Sequence, residues 1–181
     1  MLADTPGHGK LRHHAIGNLM NLQNLVGIIF TVDAADLSTD TLDDKQSEQL
    51  QQTAEYLHDI LLILQRRVTK TKTGSGPTEL PILVAANKQD LFTALPAPLV
   101  KVTLEKEITK IRSSRSKGLL DSGIGMNDMD QEKDILGDVG EQKFQFSQME
   151  EYHVSMKFSG GSAAGDTPDV KQWWDWIGDC L

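Results

Sequence analysis

The sequence has one cysteine, Cys180, so no disulfide can form within it, a pattern that fits a reducing compartment. Long apolar runs are missing too. The longest, "LVGIIFTV", has the length of a buried strand and falls far short of the roughly 18 to 20 residues that a membrane-spanning helix needs. No charged n-region followed by an apolar h-region marks a signal peptide. Basic residues are outnumbered, with 18 Lys and Arg against 26 Asp and Glu and a formal charge of −8. That argues against a surface built to grip nucleic acid by its phosphates. His13 and His14 are neighbours on one expected helix and cannot share a face, and no third ligand is spaced for zinc.

What is present is enough for one α/β domain with a real core: 181 residues, 39% of them apolar and 24% charged. Leu2–Asp4 reads as the end of a strand entering a loop. Leu11, Ala15, Leu19 and Leu22 recur at helical spacing, which predicts a short helix between Lys10 and Gln23. "LVGIIFTVDAAD" predicts a parallel strand buried on both faces. Leu50, Leu57, Ile60, Leu61, Leu64 and Val68 then form one helical stripe. "TKTKTGSGPTE" is a polar loop, and "LPILVAANKQD" a second buried strand with a polar end. Val100, Leu104, Ile108 and Ile111 mark another helix.

Periodicity then fades, and residues 115–141 read as an acidic, disordered insertion. Asp121–Glu141 alone holds seven acids, one Lys and four Gly. "KFQFSQ" and "EYHVSMKFS" alternate like strands. Val170, Trp173, Trp174 and Ile177 predict the apolar face of a terminal helix, with Pro168 near its first turn. Alternating strands and helices predict a parallel sheet covered on both faces, with ligands at the carboxyl ends of the strands. The polar clusters "DTPGH", "NKQD" and "SGGSA" each follow a strand and should converge there.

Each cluster has a chemistry. In "NKQD" the Asp90 carboxylate can accept from both N1–H and the exocyclic amine of guanine, a donor pair that adenine lacks. Asn87 can bond the opposite edge, and the Lys88 stem can cover the ring. In "DTPGH", Asp4 can hold Mg²⁺ through water, and Gly7 lets a terminal phosphate approach the backbone. His8 stands where a side chain could orient an attacking water, or it could turn away as a surface histidine. "SGGSA" offers backbone N–H groups and small side chains to back a purine, or is simply a flexible turn.

These motifs resemble those of Ras-like small GTPases and, within them, the signal recognition particle receptor beta family. "DTPGHGKLR" is similar to its switch II motif, and "NKQD" is identical to its guanine-specificity motif. "LEKEITKIRSSRS" before a low-complexity stretch, then "FQFSQM", resembles its insertion, and "FSGGSAAGD…WWDWI" its base-backing loop and terminal helix. The resemblance implies a P-loop NTPase-type parallel sheet, with GTP and Mg²⁺ as ligands. It implies Asp4 as an indirect Mg²⁺ ligand, Gly7 at the γ-phosphate and His8 in the catalytic-glutamine position. Asn87, Lys88 and Asp90 would read guanine, and Ser159 with Gly160 would back it. That stretch departs from the family's Ser-Ala-Lys, which leaves its register open by a few residues. The implied role is to hold the receptor's alpha subunit at the cytoplasmic face of the endoplasmic reticulum, where it serves ribosomes and the signal recognition particle. The membrane would be reached only through an N-terminal anchor that this sequence does not include.

One departure is larger. No Gly-x-x-x-x-Gly-Lys-Ser/Thr occurs, and "TGSGPTE" lacks the lysine and follows a helix. The chain therefore reads as the back two-thirds of such a domain, without its first strands and phosphate loop. The strands from "VGIIFTV" and "PILVAA" are expected to have open neighbours, and grip on a triphosphate to be weak or absent. An Arf- or Sar-type trafficking GTPase, expected to lack the acidic insertion and "FQFSQ", and a nucleotide-free interaction module are the alternatives.

Overall fold

A computed structural model of the chain describes residues 3–5, 7, 9–21, 25–37, 44–70, 79–121, 135–137, 143–165 and 167–181. Three parallel strands form one sheet in the order β1 (Ile28–Asp33), β2 (Leu80–Asn87), β3 (Val154–Gly160). The helices are α1 (Arg12–Asn21), α2 (Asp44–Lys70), α3 (Ala97–Asp121) and α4 (Lys171–Cys180), with short 3₁₀ turns at Gly9–Leu11 and Phe146–Tyr152. This is the α/β architecture that the alternating pattern predicted.

β2 is the middle strand, paired with β1 on one side and β3 on the other. Ile82, Leu83, Val84, Ala85 and Ala86 are all 0% exposed. Ile82, Val84 and Ala86 enter the main core with α2 and α3, while Leu83 and Ala85 meet Trp176 of α4. "PILVAA" thus has neighbours on both sides, contrary to expectation. β1 differs from its sequence reading as well. Phe30 and Val32 are buried, but Ile29 and Thr31 on the other face are exposed. The cause is coverage: Trp176 reaches Gly27 on that side, while Ile29 stands outside its cover.

The helix stripes pack as their spacing predicts, except that Val68 at the end of the α2 stripe is only partly buried. Leu50, Leu57, Ile60, Leu61 and Leu64 of α2 face Val100, Leu104, Ile108 and Ile111 of α3 in the main core. Each such side chain, fully buried, is worth about 1.5–3 kcal/mol. In α1, Ala15 and Leu19 are buried, but Leu11, which ends the preceding 3₁₀ turn, is exposed, and Leu22 lies outside the described residues. Ala3 and Asp4 carry no strand, against the reading of Leu2–Asp4 as a strand end, and Leu2 is outside the described residues.

Three further expectations change. "FQFSQ" is not a strand. Phe144 and Phe146 are both buried, their rings meeting edge-on at 5.2 Å, and Phe146 begins the 3₁₀ turn. Their N–H groups donate to α3 side chains rather than a neighbouring strand: Phe144 to Thr109 Oγ1 at 3.0 Å, Phe146 to Glu105 Oε1 at 3.0 Å. In α4 the buried tryptophan is Trp176, and Trp174 is 66% exposed; the inward face is Trp173, Trp176, Ile177 and Cys180. Finally, α3 continues to Asp121, so the 115–141 segment begins inside a helix. Part of the same segment docks on α2. Leu136 is fully buried, and Gln65 holds it from both sides, donating to Ile135 O and accepting from Gly137 N–H, each at 2.8 Å.

One polar cluster joins α2 to α3. Arg115 donates to Asp59 Oδ1 at 2.9 Å, and Nδ1 of buried His58 lies 3.3 Å from the same oxygen and 3.1 Å from the guanidinium. Partial burial pushes the Asp59 carboxyl up, but the bonds to His58 and Arg115 outweigh it and hold the group below its usual value. A lowered carboxyl stabilises the fold above its unfolded value of 3.8, and that contribution disappears as pH falls through the lower folded value. Asp59→Asn should therefore melt below the native chain by a constant margin at pH 5–7. The margin should close below pH 3.8. A margin that widened in acid would contradict this account.

Candidate functional site

At the carboxyl ends of β2 and β3 two loops close on one another. Past Ala86, Gly161 N–H donates to Ala86 O at 3.0 Å and Gln89 N–H to Gly161 O at 3.1 Å, so the ladder continues beyond both strands. Asn87 ends β2, and its Oδ1 accepts Ala163 N–H at 2.9 Å. Lys88 follows in the left-handed region at φ 65°, which side-chain-bearing residues seldom occupy. This turns the chain so that Asp90 faces the second loop. The Ser162 hydroxyl lies 2.7 Å from Asp90 Oδ1 and 2.6 Å from Ala164 O, and its single proton serves one of them at a time.

The second loop is itself tied off. Ser162 and Asp169 exchange two backbone bonds of 2.8 Å. Gly161 is required there, because a Cβ would stand 2.6 Å from Asp169 O and 2.7 Å from the Trp173 ring. Gln89 donates to Leu95 O at 2.7 Å, with its stem beside Gly160.

"NKQD" and "SGGSA" therefore converge as expected. The residues meeting Asn87 and Asp90, however, are Ser162 and Ala163. Ser159, three residues earlier, is buried in β3. Its hydroxyl donates to Gln172 Oε1 at 2.6 Å and its backbone carbonyl accepts the Trp173 Nε1–H at 3.4 Å, so it is committed to α4. Gly160 packs against Gln89. The signal was present in the sequence: Ser162-Ala163 matches the first two residues of Ser-Ala-Lys, with Ala164 in the lysine position.

Asp4 and Gly7 are exposed, and a Cβ built on Gly7 meets nothing within 4 Å. His8 lies outside the described residues. Sequence reasoning passed over Asp33, whose Oδ2 forms an ion pair with Lys88 Nζ. The hydrogen bond to Asp33, and then its charge, raise the affinity of that ammonium for its proton.

The arrangement presents, on one edge, a carboxylate, an amide side chain, a lysine stem and a backbone N–H. These are the groups a guanine ring would use. Asp90 is exposed with Oδ2 toward Gly165, and none of these groups is buried beneath another element. The described residues thus fit the base. Among the described residues no cluster of three or more His, Cys, Asp or Glu could hold a metal ion by itself.

The model of the signal recognition particle receptor beta subunit family matches residues 1–154. The beta subunit of Saccharomyces cerevisiae is 34% identical over 183 residues, covering 99% of this chain and 66% of that protein. The human subunit is 30% identical over 172 residues, covering 93% and 52%. The chain thus spans about half to two thirds of these relatives. Among solved structures, SRb of Chaetomium thermophilum with GDP and magnesium superposes with a TM-score of 0.79 at 40% identity, covering 99% of this chain and 80% of that one. SRb-GTP in complex with SRX, from the same organism, gives 0.78 at 38%, covering 98% and 66%.

Proposed function

Because the chain belongs to the signal recognition particle receptor beta subunit family, we propose that its β2–β3 edge reads guanine in GTP or GDP. We further propose that the protein serves as the receptor subunit that holds the alpha subunit at the endoplasmic reticulum membrane. The observation that carries the first reading is the mutual closure of Asn87–Asp90 on Ser162–Ala163. Asp90 accepts from N1–H and the exocyclic amine, and the Ser162 hydroxyl keeps that carboxylate aimed. Asn87 takes the opposite edge. Ala163 N–H, which donates to Asn87 Oδ1, would meet the guanine carbonyl oxygen by exchanging that acceptor for the base. Ser162 and Ala163 take the backing role expected of Ser159 and Gly160.

On the phosphate side, Asp4 would hold Mg²⁺ through water, Gly7 would meet the γ-phosphate and His8 would orient water. A bound Mg²⁺ supplies charge neutralisation at the phosphates. The partners in this reading are guanine nucleotide, the alpha subunit and, through it, ribosomes and the signal recognition particle. The structures with GDP, GTP and SRX support it by likeness. Among the described residues no helix is long and apolar enough to cross a membrane.

Melting the protein with millimolar GDP or ADP tests the reading. A ligand that binds the folded state alone must raise its melting temperature. GDP should raise it and ADP should not. Equal shifts with both nucleotides, or none with GDP, would set the guanine site aside and favour a nucleotide-free interaction module.

A further inference from the structure

We propose that Asp33 is a positioning residue of the guanine site, fixing Lys88 so that its stem lies ready over the base. The inference rests on the guanine reading above. Asp33 is the last residue of β1 and the register partner of Asn87, so strand pairing itself delivers its carboxylate to the "NKQD" turn. Both of its oxygens are engaged. Oδ1 accepts Ala35 N–H at 3.1 Å, which orients the carboxylate, and Oδ2 pairs with Lys88 Nζ. The backbone binds the same two segments, through Ala34 N–H to Asn87 O at 3.1 Å and Leu95 N–H to Ala34 O at 2.9 Å.

Lys88 needs such a partner. Its side chain is half exposed and its stem has four rotatable bonds, so a free lysine would spend little time over the ring. Ordering it in advance removes a cost that binding would otherwise carry. The charged groups around its ammonium are Asp33, Asp36 and Asp90. Asp36 is not the holder: burial first, then the neighbouring Asp33 charge, push its carboxyl up. The Asp33 pair is also the contact that most favours the charged Lys88.

The test is a double-mutant cycle on GDP affinity, with ADP as the control nucleotide. Asp33→Asn keeps an acceptor for Ala35 N–H and removes the charge. Lys88→Met keeps the apolar stem and removes the ammonium. Asp33→Asn should weaken GDP binding roughly two- to fivefold, the range of a half-exposed ion pair. In the Lys88→Met background it should change nothing, since its only route to the base is gone. Separately, an NMR titration of Lys88 Nζ should move down toward 10.5 in Asp33→Asn. No loss in Asp33→Asn, or the same loss in both backgrounds, would make Asp33 a structural strut and overturn the inference alone. A native protein that does not distinguish GDP from ADP would overturn the guanine reading and this inference with it.

Discussion

Replacing Asp90 with Asn is expected to lower affinity for guanine nucleotides about a hundredfold and to turn preference toward xanthosine nucleotides. The carboxylate offers two acceptors to N1–H and the exocyclic amine. Asn offers one acceptor and one donor, so a bond to the amine becomes a donor facing a donor. A hydrogen bond to a charged group is worth about 1.5–3 kcal/mol, and the upper part of that range corresponds to roughly a hundredfold. Xanthine carries a carbonyl where guanine has the amine, so the new donor finds a partner there. The fold should be spared: Asp90 is exposed, and an amide oxygen can still accept from the Ser162 hydroxyl. Competition of GDP and XDP for the native and variant proteins reads the switch directly. Unchanged preference would remove Asp90 from the site.

The largest effect on stability should come from Trp176→Ala. That ring covers Leu83 and Ala85 on the second face of β2 and reaches to where a Cβ at Gly27 would lie 3.0 Å away. Truncating a buried tryptophan costs about 3–5 kcal/mol, a large share of the roughly 5–15 kcal/mol that holds a domain together. Trp174→Ala, two residues earlier and mostly exposed, should stay within about 0.5 kcal/mol of the native chain. Urea midpoints for the two variants compare them. Equal losses, or a greater loss at Trp174, would mean that α4 packs in another register.

These tryptophans show where sequence reading loses resolution. Three stand within four positions, Trp173, Trp174 and Trp176, so an apolar stripe can be drawn through α4 in more than one register. Burial against Leu83 and Ala85 selects the one with Trp176 inside. "FQFSQ" fails for a related reason: an alternating pattern says which side chains are buried but not what its backbone bonds to. Glu105 and Thr109 take the place of a strand partner, and they lie 41 and 35 residues away in sequence.

Where one segment determines its own structure, the reading was sound. The stripes of α2 and α3 and the unbroken apolar run of β2 are local patterns, and "NKQD" is a local turn. Asp33 is the opposite case. The part proposed for it depends on the β1–β2 register, which no window of sequence contains. The Ser162 position was within reach through Ser-Ala, but "SGGSA" has two serines, and only the contact with Asp90 separates them.

The central place of β2 has a consequence for how the site opens. A strand bonded on both sides and fully buried from Ile82 to Ala86 cannot fray; exposing its amides requires unfolding on the scale of the whole sheet. Asn87–Asp90 leave directly from that strand, so the residues proposed to choose the base inherit its resistance to local opening. Ser162–Ala164 leave from β3, which among the described residues pairs only with β2, and are held at the edge by the very side chains they face. In the proposed site, the selecting half is anchored by the fold, and the backing half is anchored by the selector.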